Sequence, residues 1–112
     1  MVILKQGDIA LVDLNPTKGH EQQSRRPVVI LSSIQVSDIS GLFIVAPIST
    51  TNRDFPLYYP LETPSETTGK VLLDQTRALD IVNRGYRIVD RVSQSELMSI
   101  INTYKLFFDI GA

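Results

Sequence analysis

Short apolar runs separated by polar segments occupy most of the chain, and this pattern predicts strands. Each run has five to seven residues, rich in Val, Ile, Leu or Tyr, with Gly, Pro, Asn or Ser at or near its ends. The second and third runs are apolar on consecutive positions, as in strands that are covered on both faces. We place Pro27 at the first position of its strand, where a missing N–H does least harm, and Pro56 and Pro60 mark an edge strand. The predicted strands are residues 9–14, 27–32, 42–48, 55–61, 69–73 and 86–92.

One helix is predicted, near the end of the chain. Ser93 and Glu96 have the capping-box spacing, in which each side chain satisfies a backbone N–H of the other residue. A single apolar stripe follows at helical spacing and must pack against the sheet or against a second copy of the chain. Its members are Leu97, Ile100, Ile101, Tyr104 and Phe108. Close-set strands and a terminal helix predict an α+β fold: a small antiparallel sheet or barrel with a C-terminal helix, forming a single domain over residues 1–112.

Composition limits the class of protein. Apolar residues make up 43% and charged residues 21%, as in an ordinary globular protein. No apolar run approaches the ~18 residues of a membrane span, and the N-terminus has no signal-peptide pattern. The absence of cysteine excludes disulfides and thiolate chemistry. We therefore expect a cytoplasmic protein that does not associate with membranes.

Charge is unevenly distributed along the chain. The formal net charge is −1, which disfavours nucleic-acid binding on its own. Residues 15–33 nevertheless carry three basic side chains and one acidic one, and residues 77–91 carry four arginines and two aspartates. Residues 34–69 carry one arginine and four acids. The two basic segments would form an anion site if they meet in space.

The segment from Pro16 to Arg26 is a long polar loop with His20, Glu21 and Arg25 close together. The chain has no Gly-rich phosphate loop, no HExxH and no acidic metal cluster, and His20 is its only histidine. Any catalysis is therefore expected to need no metal or cofactor, and to use Arg, His, carboxylates and hydroxyls. Those groups suit cleavage of RNA by its own 2′-hydroxyl, which needs a base, cations for the phosphorane and an acid.

Polar side chains follow two other predicted strands. Ser49, Thr50 and Thr51 follow the third strand, and Asp74 and Gln75 follow the apolar run at 71–73. A concave site would form if these strand ends converge. Each feature also has a structural interpretation: loop arginines are commonly solvated, hydroxyls after a strand bond local backbone, and an Asp caps a turn that begins at the next residue. A single loop histidine is commonly exposed and inactive.

Five sequence elements, in this order and spacing, resemble the MazF/PemK (Kid) family of toxin endoribonucleases from bacterial toxin–antitoxin pairs. They are GDI at 7–9, NPTKGHEQ at 15–22, RPVV at 26–29, PIST at 47–50 and DQTR at 74–77. The resemblance implies an SH3-like barrel with a C-terminal helix (the CcdB/PemK-like toxin fold) that works as a homodimer. It also implies metal-independent, sequence-specific cleavage of single-stranded mRNA to 2′,3′-cyclic phosphate and 5′-hydroxyl products, and a cognate antitoxin chain.

The resemblance also implies residue roles. Arg26 matches a catalytic arginine, Ser49 stands where many members carry a catalytic threonine, and Asp74 resembles a general base. His20 and Glu21 match further catalytic positions. We expect RNA contacts from Thr17, Lys18, Gln22, Arg25, Thr50, Gln75 and Arg77.

One position departs from the family pattern. PemK-like members carry a second catalytic arginine two residues before the Asp, where this chain has Leu72. Lys70 or Arg77 are the candidates to replace that cation. Two alternatives to the RNase stay open: a non-enzymatic CcdB-like toxin that poisons a protein such as DNA gyrase, and an inactive RNA-binding relative.

Overall fold

The computed structural model describes residues 4–14 and 25–111, in which seven strands form one antiparallel sheet. The strand order is β4-β5-β3-β2-β1-β7, and β6 pairs with β3 beside β5. The strands are β1 (Asp8–Asp13), β2 (Arg25–Ile30), β3 (Phe43–Ser49), β4 (Tyr58–Pro60), β5 (Lys70–Leu72), β6 (Arg77–Leu79) and β7 (Tyr86–Arg91). The three helices are α1 (Ile34–Ser40), α2 (Ile81–Arg84) and α3 (Gln94–Tyr104).

The sheet has a hydrophobic core on each face, because successive side chains of a strand point to opposite sides. Val29 of β2 packs in the core that contains α3, while Val28 and Ile30 pack in the other. This confirms that the second and third strands are covered on both faces. The helix-side core contains Ile9, Val29, Leu31, Ala46, Ile48, Val71, Leu73, Val92, Leu97 and Ile100. The opposite core contains Leu4, Ala10, Val12, Val28, Ile30, Phe43, Val45, Leu79 and Ile81.

Strand β2 begins two residues earlier than predicted. Arg25 and Arg26 pair in register with Asp13 and Val12 of β1, so Pro27 is the third residue of the strand and the prediction of a first position was wrong. Pro27, which has no N–H to donate, is tolerated there because the pairing of β2 with β3 begins only at Val28. The predicted edge strand is shorter than expected, at Tyr58–Pro60.

Three short elements were not predicted. Helix α1 begins after Ser33, whose hydroxyl accepts the Val36 N–H at 3.4 Å, and ends at Gly41, whose φ is +76°. Helix α2 and strand β6 have only four and three residues, too short for a periodic pattern to develop.

The predicted capping box of α3 forms only in part. Ser93 Oγ accepts the Glu96 N–H at 3.1 Å, as expected. The Glu96 carboxylate does not return to Ser93, however; it accepts the backbone N–H groups of Glu62 and Thr63, and the Ser93 N–H donates to Thr63 Oγ1. The prediction that the Glu96 carboxylate accepts the Ser93 N–H was therefore wrong, because the loop at Glu62 and Thr63 occupies this buried carboxylate instead.

The apolar stripe of α3 also ends earlier than predicted. Leu97 and Ile100 are buried, but the chain tightens into a 3₁₀ turn at Lys105–Phe108, which changes the helical phase. Phe108 is consequently 66% exposed. Across the described ranges, no helix has the length and apolar character required to cross a bilayer.

Candidate active site

A cavity of about 550 Å³ opens where β2 and β3 diverge. The two strands pair as far as Val28 and Pro47, and beyond that point β3 stays paired only on its other edge, with β5. Val29 packs in the core beside α3, so the alternating side chains of Val28 and Ile30 point to the other face of the sheet. Arg26 has the same alternation as Val28, and the cavity that it lines therefore lies on the face opposite α3. Its walls are formed by Leu14, Arg26, Pro27, Pro47, Ile48, Ser49, Thr50, Thr68, Leu72, Gln75 and Arg77.

Two guanidinium groups line this cavity from opposite sides of β3. Arg26 comes from β2, and Arg77 comes from β6, where its Cα partner is Val45. The two basic segments of the sequence therefore meet in space. Both arginines are exposed, and neither forms an ion pair with any residue in the described ranges. Two guanidinium groups that line one cavity, with no carboxylate partner among the described residues, favour binding of a phosphate.

Ser49 lies at the end of β3 and takes part in a chain of turn hydrogen bonds. Its Oγ accepts the Thr51 N–H at 3.2 Å, and Thr51 Oγ1 accepts the Arg53 N–H at 3.2 Å. The turn interpretation of these hydroxyls is therefore correct for Ser49 and Thr51. It does not exclude a role in binding, since a hydroxyl that accepts one N–H still has its own hydrogen to donate into the cavity.

Gly69 holds β5 close to Ser49, and the sequence interpretation missed it. Its φ is +128°, and a Cβ added at this residue would lie 2.5 Å from the Ser49 carbonyl oxygen. Only glycine permits both the conformation and this approach. The available signal was a glycine at the first position of the predicted strand at 69–73.

Asp74 and Gln75 lie in a 3₁₀ turn, Leu73–Gln75, that follows β5. The turn begins at Leu73 and has no side-chain cap, so the capping interpretation of Asp74 was wrong. Gln75 lines the cavity, whereas Asp74, which directly precedes it, is exposed and is not among the lining residues. Thr76 Oγ1 donates to Tyr104 Oη at 3.1 Å, which ties the turn to α3.

Of the two candidate cations, Lys70 and Arg77, it is Arg77 that lines the cavity. Leu72 lines the cavity but brings no charge. The Lys70 ammonium donates to the Arg53 carbonyl oxygen at 2.7 Å and lies 4.0 Å from Asp54 Oδ1, outside the cavity lining. Arg77 is therefore the second cation of the cavity.

The remaining predicted site residues lie elsewhere. Thr50 is part of the cavity wall, but Arg25 is not. Arg25 is half-buried near the start of β7, with its Nη2 3.9 Å from the position of a Cβ on Gly85. Thr17, Lys18, His20, Glu21 and Gln22 fall outside the described residues.

No group of three or more His, Cys, Asp or Glu side chains is placed to hold a metal ion in the part of the chain that the structure describes. The cavity instead offers guanidinium, hydroxyl and amide donors. Such a donor set binds phosphate oxygens through hydrogen bonds and charge.

The described residues thus form a small α+β protein, an antiparallel sheet with a C-terminal helix, whose cavity is lined by donors of the kind that bind phosphate oxygens. Residues 5–108 match the family described as PemK-like, MazF-like toxins of type II toxin–antitoxin systems. The chain belongs to this family.

Relatives and solved structures agree with this assignment. The chain is 32% identical over 103 residues to "Endoribonuclease PemK" of Escherichia coli, covering 88% of this chain and 77% of the relative. It has the fold of MazF from Deinococcus radiodurans, with a TM-score of 0.80, 23% identity and coverage of 96% and 98% of the two chains. A mycobacterial endoribonuclease in complex with its cognate antitoxin gives a TM-score of 0.77 at 17% identity, covering 96% of this chain and 97% of that one. The predicted family and α+β fold are confirmed.

Proposed function

We propose that this chain is the toxin of a toxin–antitoxin pair and acts as a sequence-specific, metal-independent endoribonuclease. Its substrate is single-stranded mRNA in the cytoplasm, and its products are a 2′,3′-cyclic phosphate and a 5′-hydroxyl. The observation that carries the proposal is the convergence of Arg26, Arg77 and Ser49 on one cavity of about 550 Å³. Family membership and the endoribonuclease PemK relative support the reaction class.

Phosphate binding is the task of the two arginines and the hydroxyl. Arg26 and Arg77 contact non-bridging oxygens of the scissile phosphate, and the Ser49 hydroxyl donates to one of them. Negative charge grows on these oxygens as the 2′-oxygen attacks phosphorus and the phosphorane forms. Donors that are already in position stabilise this charge without reorganising.

Two proton transfers complete the reaction. Asp74 or Glu21 accepts the proton of the 2′-hydroxyl as the new P–O bond forms. The P–O5′ bond then breaks, and Arg26 or His20 protonates the departing 5′-oxygen. Asp74 is proposed for the first role because it is exposed and directly precedes the cavity-lining Gln75. The loop at 17–25 is proposed to cover the bound strand and to contact its unstacked bases.

Arg26→Ala tests this mechanism, with Arg87→Ala as its matched control. Arg87 is exposed on β7 outside the cavity lining, so the control makes the same change of charge elsewhere. Cleavage of an end-labelled RNA in the presence of EDTA should fall about 10²- to 10³-fold for Arg26→Ala, since one transition-state donor is lost. The control should cleave at the wild-type rate. An Arg26→Ala protein that folds and cuts as fast as wild type would exclude this mechanism.

Binding and cleavage of the same labelled RNA by wild-type protein, measured in EDTA, separate the RNase from its two alternatives. Binding of RNA without cleavage would indicate an inactive RNA-binding relative. Neither binding nor cleavage would indicate a toxin directed at a protein, and either result would reject the proposed function.

The chain is also proposed to form a homodimer and to bind a cognate antitoxin. The antitoxin is supported by the family description and by the mycobacterial toxin–antitoxin complex. Self-association is supported by the exposed apolar side chains Leu106, Phe107, Phe108 and Ile110 after α3. Sedimentation at micromolar concentration should give a dimer, and Phe108→Glu should weaken it; a monomeric wild type would reject the dimer.

A further inference from the structure

An exposed arginine lies over two aromatic rings just beyond the cavity. The Arg53 Cζ atom is 4.6 Å from the ring centroid of Phe55 and 5.6 Å from that of Tyr58. The two rings pack edge to face, 5.0 Å apart at 76°. The rings are half-buried, whereas Arg53 is exposed. The planar guanidinium is thus backed by aromatic rings and accessible to solvent. The proposed mechanism assigns no role to these three residues.

This cluster lies on the same face of the sheet as the cavity. Tyr58 of β4 is the cross-strand partner of Leu72, whose side chain lines the cavity. Tyr59, the next residue, packs against the helix-side core, so Tyr58 points to the opposite face. From β2 to β4 the sheet takes three steps, which amount to about 14 Å at the usual strand spacing. An RNA strand that crosses the sheet from Arg26 would reach the cluster.

The position of Arg53 is fixed relative to Ser49. The hydrogen bonds from Thr51 to Ser49 and from Arg53 to Thr51 connect the two residues through one turn. On its other side, the Arg53 carbonyl oxygen accepts the Lys70 ammonium at 2.7 Å. Because Lys70 is the cross-strand partner of Ser49, the same two strands hold both residues. The guanidinium is therefore preorganised, which lowers the entropy lost when a base stacks on it.

We propose that Arg53, backed by Phe55 and Tyr58, is a stacking subsite for one unpaired base of the RNA substrate. The inference rests on the proposed function and extends it. Arginine planes and aromatic rings both stack on bases. A separation of about 14 Å corresponds to about two to four nucleotides, since a stacked strand advances about 3.4 Å per nucleotide and an unstacked strand roughly twice as much. The subsite would therefore receive a base about two to four nucleotides from the scissile phosphate.

Arg53→Lys is the decisive variant, because it keeps the charge and removes the planar group. Arg87→Lys is the control. The probe is a short RNA that contains a mapped cleavage site, with a 2′-deoxy nucleotide there to prevent cutting. A set of such RNAs carries one abasic nucleotide at each position within four nucleotides of the site. Dissociation constants are measured by fluorescence anisotropy, and Tm values show that the variants fold.

For wild-type protein and Arg87→Lys, the abasic substitution at one position beyond the site should weaken binding by about 5- to 150-fold, the range for one stacked base. Arg53→Lys should weaken binding of the intact RNA by a similar factor. For this variant an abasic nucleotide at that one position should cause no further loss of affinity, while the other positions should behave as in wild type. Phe55→Leu keeps an apolar side chain but removes one ring beneath Arg53. It should weaken RNA binding and reduce the effect of the abasic nucleotide by smaller factors, and it replaces Arg53→Lys as the test if that variant does not fold.

The subsite is rejected if both variants keep the wild-type abasic profile, or if binding falls equally for every RNA in the set. The second result would indicate a backbone phosphate contact. Failure of the proposed function gives a different outcome, in which wild type neither binds the intact RNA nor cuts its all-ribose form. Cleavage of that RNA together with a flat abasic profile would reject the subsite alone.

Discussion

Asp90 of β7 is expected to clamp the loop between β4 and β5. Its carboxylate accepts four backbone N–H groups: those of Glu66 and Thr67 at 2.8 Å, Arg91 at 2.9 Å and Ser65 at 3.1 Å. The clamped loop leads into Thr68 of the cavity wall and Gly69 beside Ser49. Asp90→Asn keeps the shape of the side chain but removes its charge and one acceptor oxygen.

The size of the effect follows from these bonds. Burial alone would raise the pKa of Asp90, but the hydrogen bonds from the Glu66, Arg91, Thr67 and Ser65 N–H groups outweigh it and hold the pKa far below its ordinary value. Hydrogen bonds to a charged group contribute about 1.5–3 kcal/mol each, but those from Ser65, Glu66 and Arg91 are exposed to solvent, which weakens them. We therefore expect Asp90→Asn to lower the free energy of unfolding by about 2 kcal/mol, or the Tm by about 8 °C.

Thermal unfolding followed by circular dichroism between pH 8 and pH 2.5 tests the clamp, with Asp38→Asn on α1 as control. Because the pKa is lower in the folded state, the stabilisation is complete above the unfolded-state pKa of about 3.9 and is lost as the pH falls toward the folded-state value. The Tm curves of wild type and Asp90→Asn should therefore be separated at pH 7 and should begin to approach each other as the pH falls below about 4. Curves that coincide at pH 7, or stay parallel down to pH 2.5, would refute the clamp.

Three further predictions concern the cavity and its surroundings. Gly69→Ala should destabilise the fold by about 2–3 kcal/mol because of its positive φ and the contact with the Ser49 carbonyl oxygen; a chemical denaturation midpoint equal to that of wild type would contradict the close approach. Arg77→Ala should reduce RNA cleavage by about 10²-fold and Lys70→Ala by less than about 10-fold, because Arg77 lines the cavity and Lys70 does not; the reverse order in single-turnover rates would identify Lys70 as the second cation. Burial raises the pKa of the Tyr59 phenol, so Tyr59→Phe should remove the latest-titrating component of the tyrosine absorbance. Because this pKa is higher in the folded state, the contribution of Tyr59 to folding stability is complete below the unfolded-state pKa of about 10 and is lost as the pH rises above it. An unchanged alkaline titration of Tyr59→Phe would contradict the assignment.

The strands of the sheet could be predicted because their signal is local. Val28, Val29 and Ile30 are apolar on consecutive positions, and the two cores on opposite faces explain why. The start of β2 could not be predicted, since Arg25 and Arg26 join the strand only through their pairing with β1. Local patterns carry no information about a partner strand that is distant in the chain.

The composition of the cavity depended on the same kind of distant pairing. Arg26, Ser49, Thr50, Gln75 and Arg77 were all candidates from the sequence, and they line one cavity. The choice between Lys70 and Arg77 required the structure, because it depends on β6 pairing with β3 beside β5. Distant contacts also changed one local motif. The bond from the Glu96 N–H to Ser93 forms as the motif predicts, but the Glu96 carboxylate binds the N–H groups of Glu62 and Thr63 in a distant loop.

Ser49 shows why turn chemistry and substrate binding are not alternatives. The hydroxyl accepts the Thr51 N–H, and this bond fixes the position of the oxygen at the cavity wall. The same turn continues through Thr51 to Arg53, so the bond that positions the hydroxyl also positions the guanidinium over its aromatic rings. The proposed phosphate contact and the proposed base-stacking surface are thereby held by one five-residue segment at the end of β3. A solvated polar loop would give neither group a defined place, whereas this segment would hold the two proposed RNA contacts at a fixed spacing.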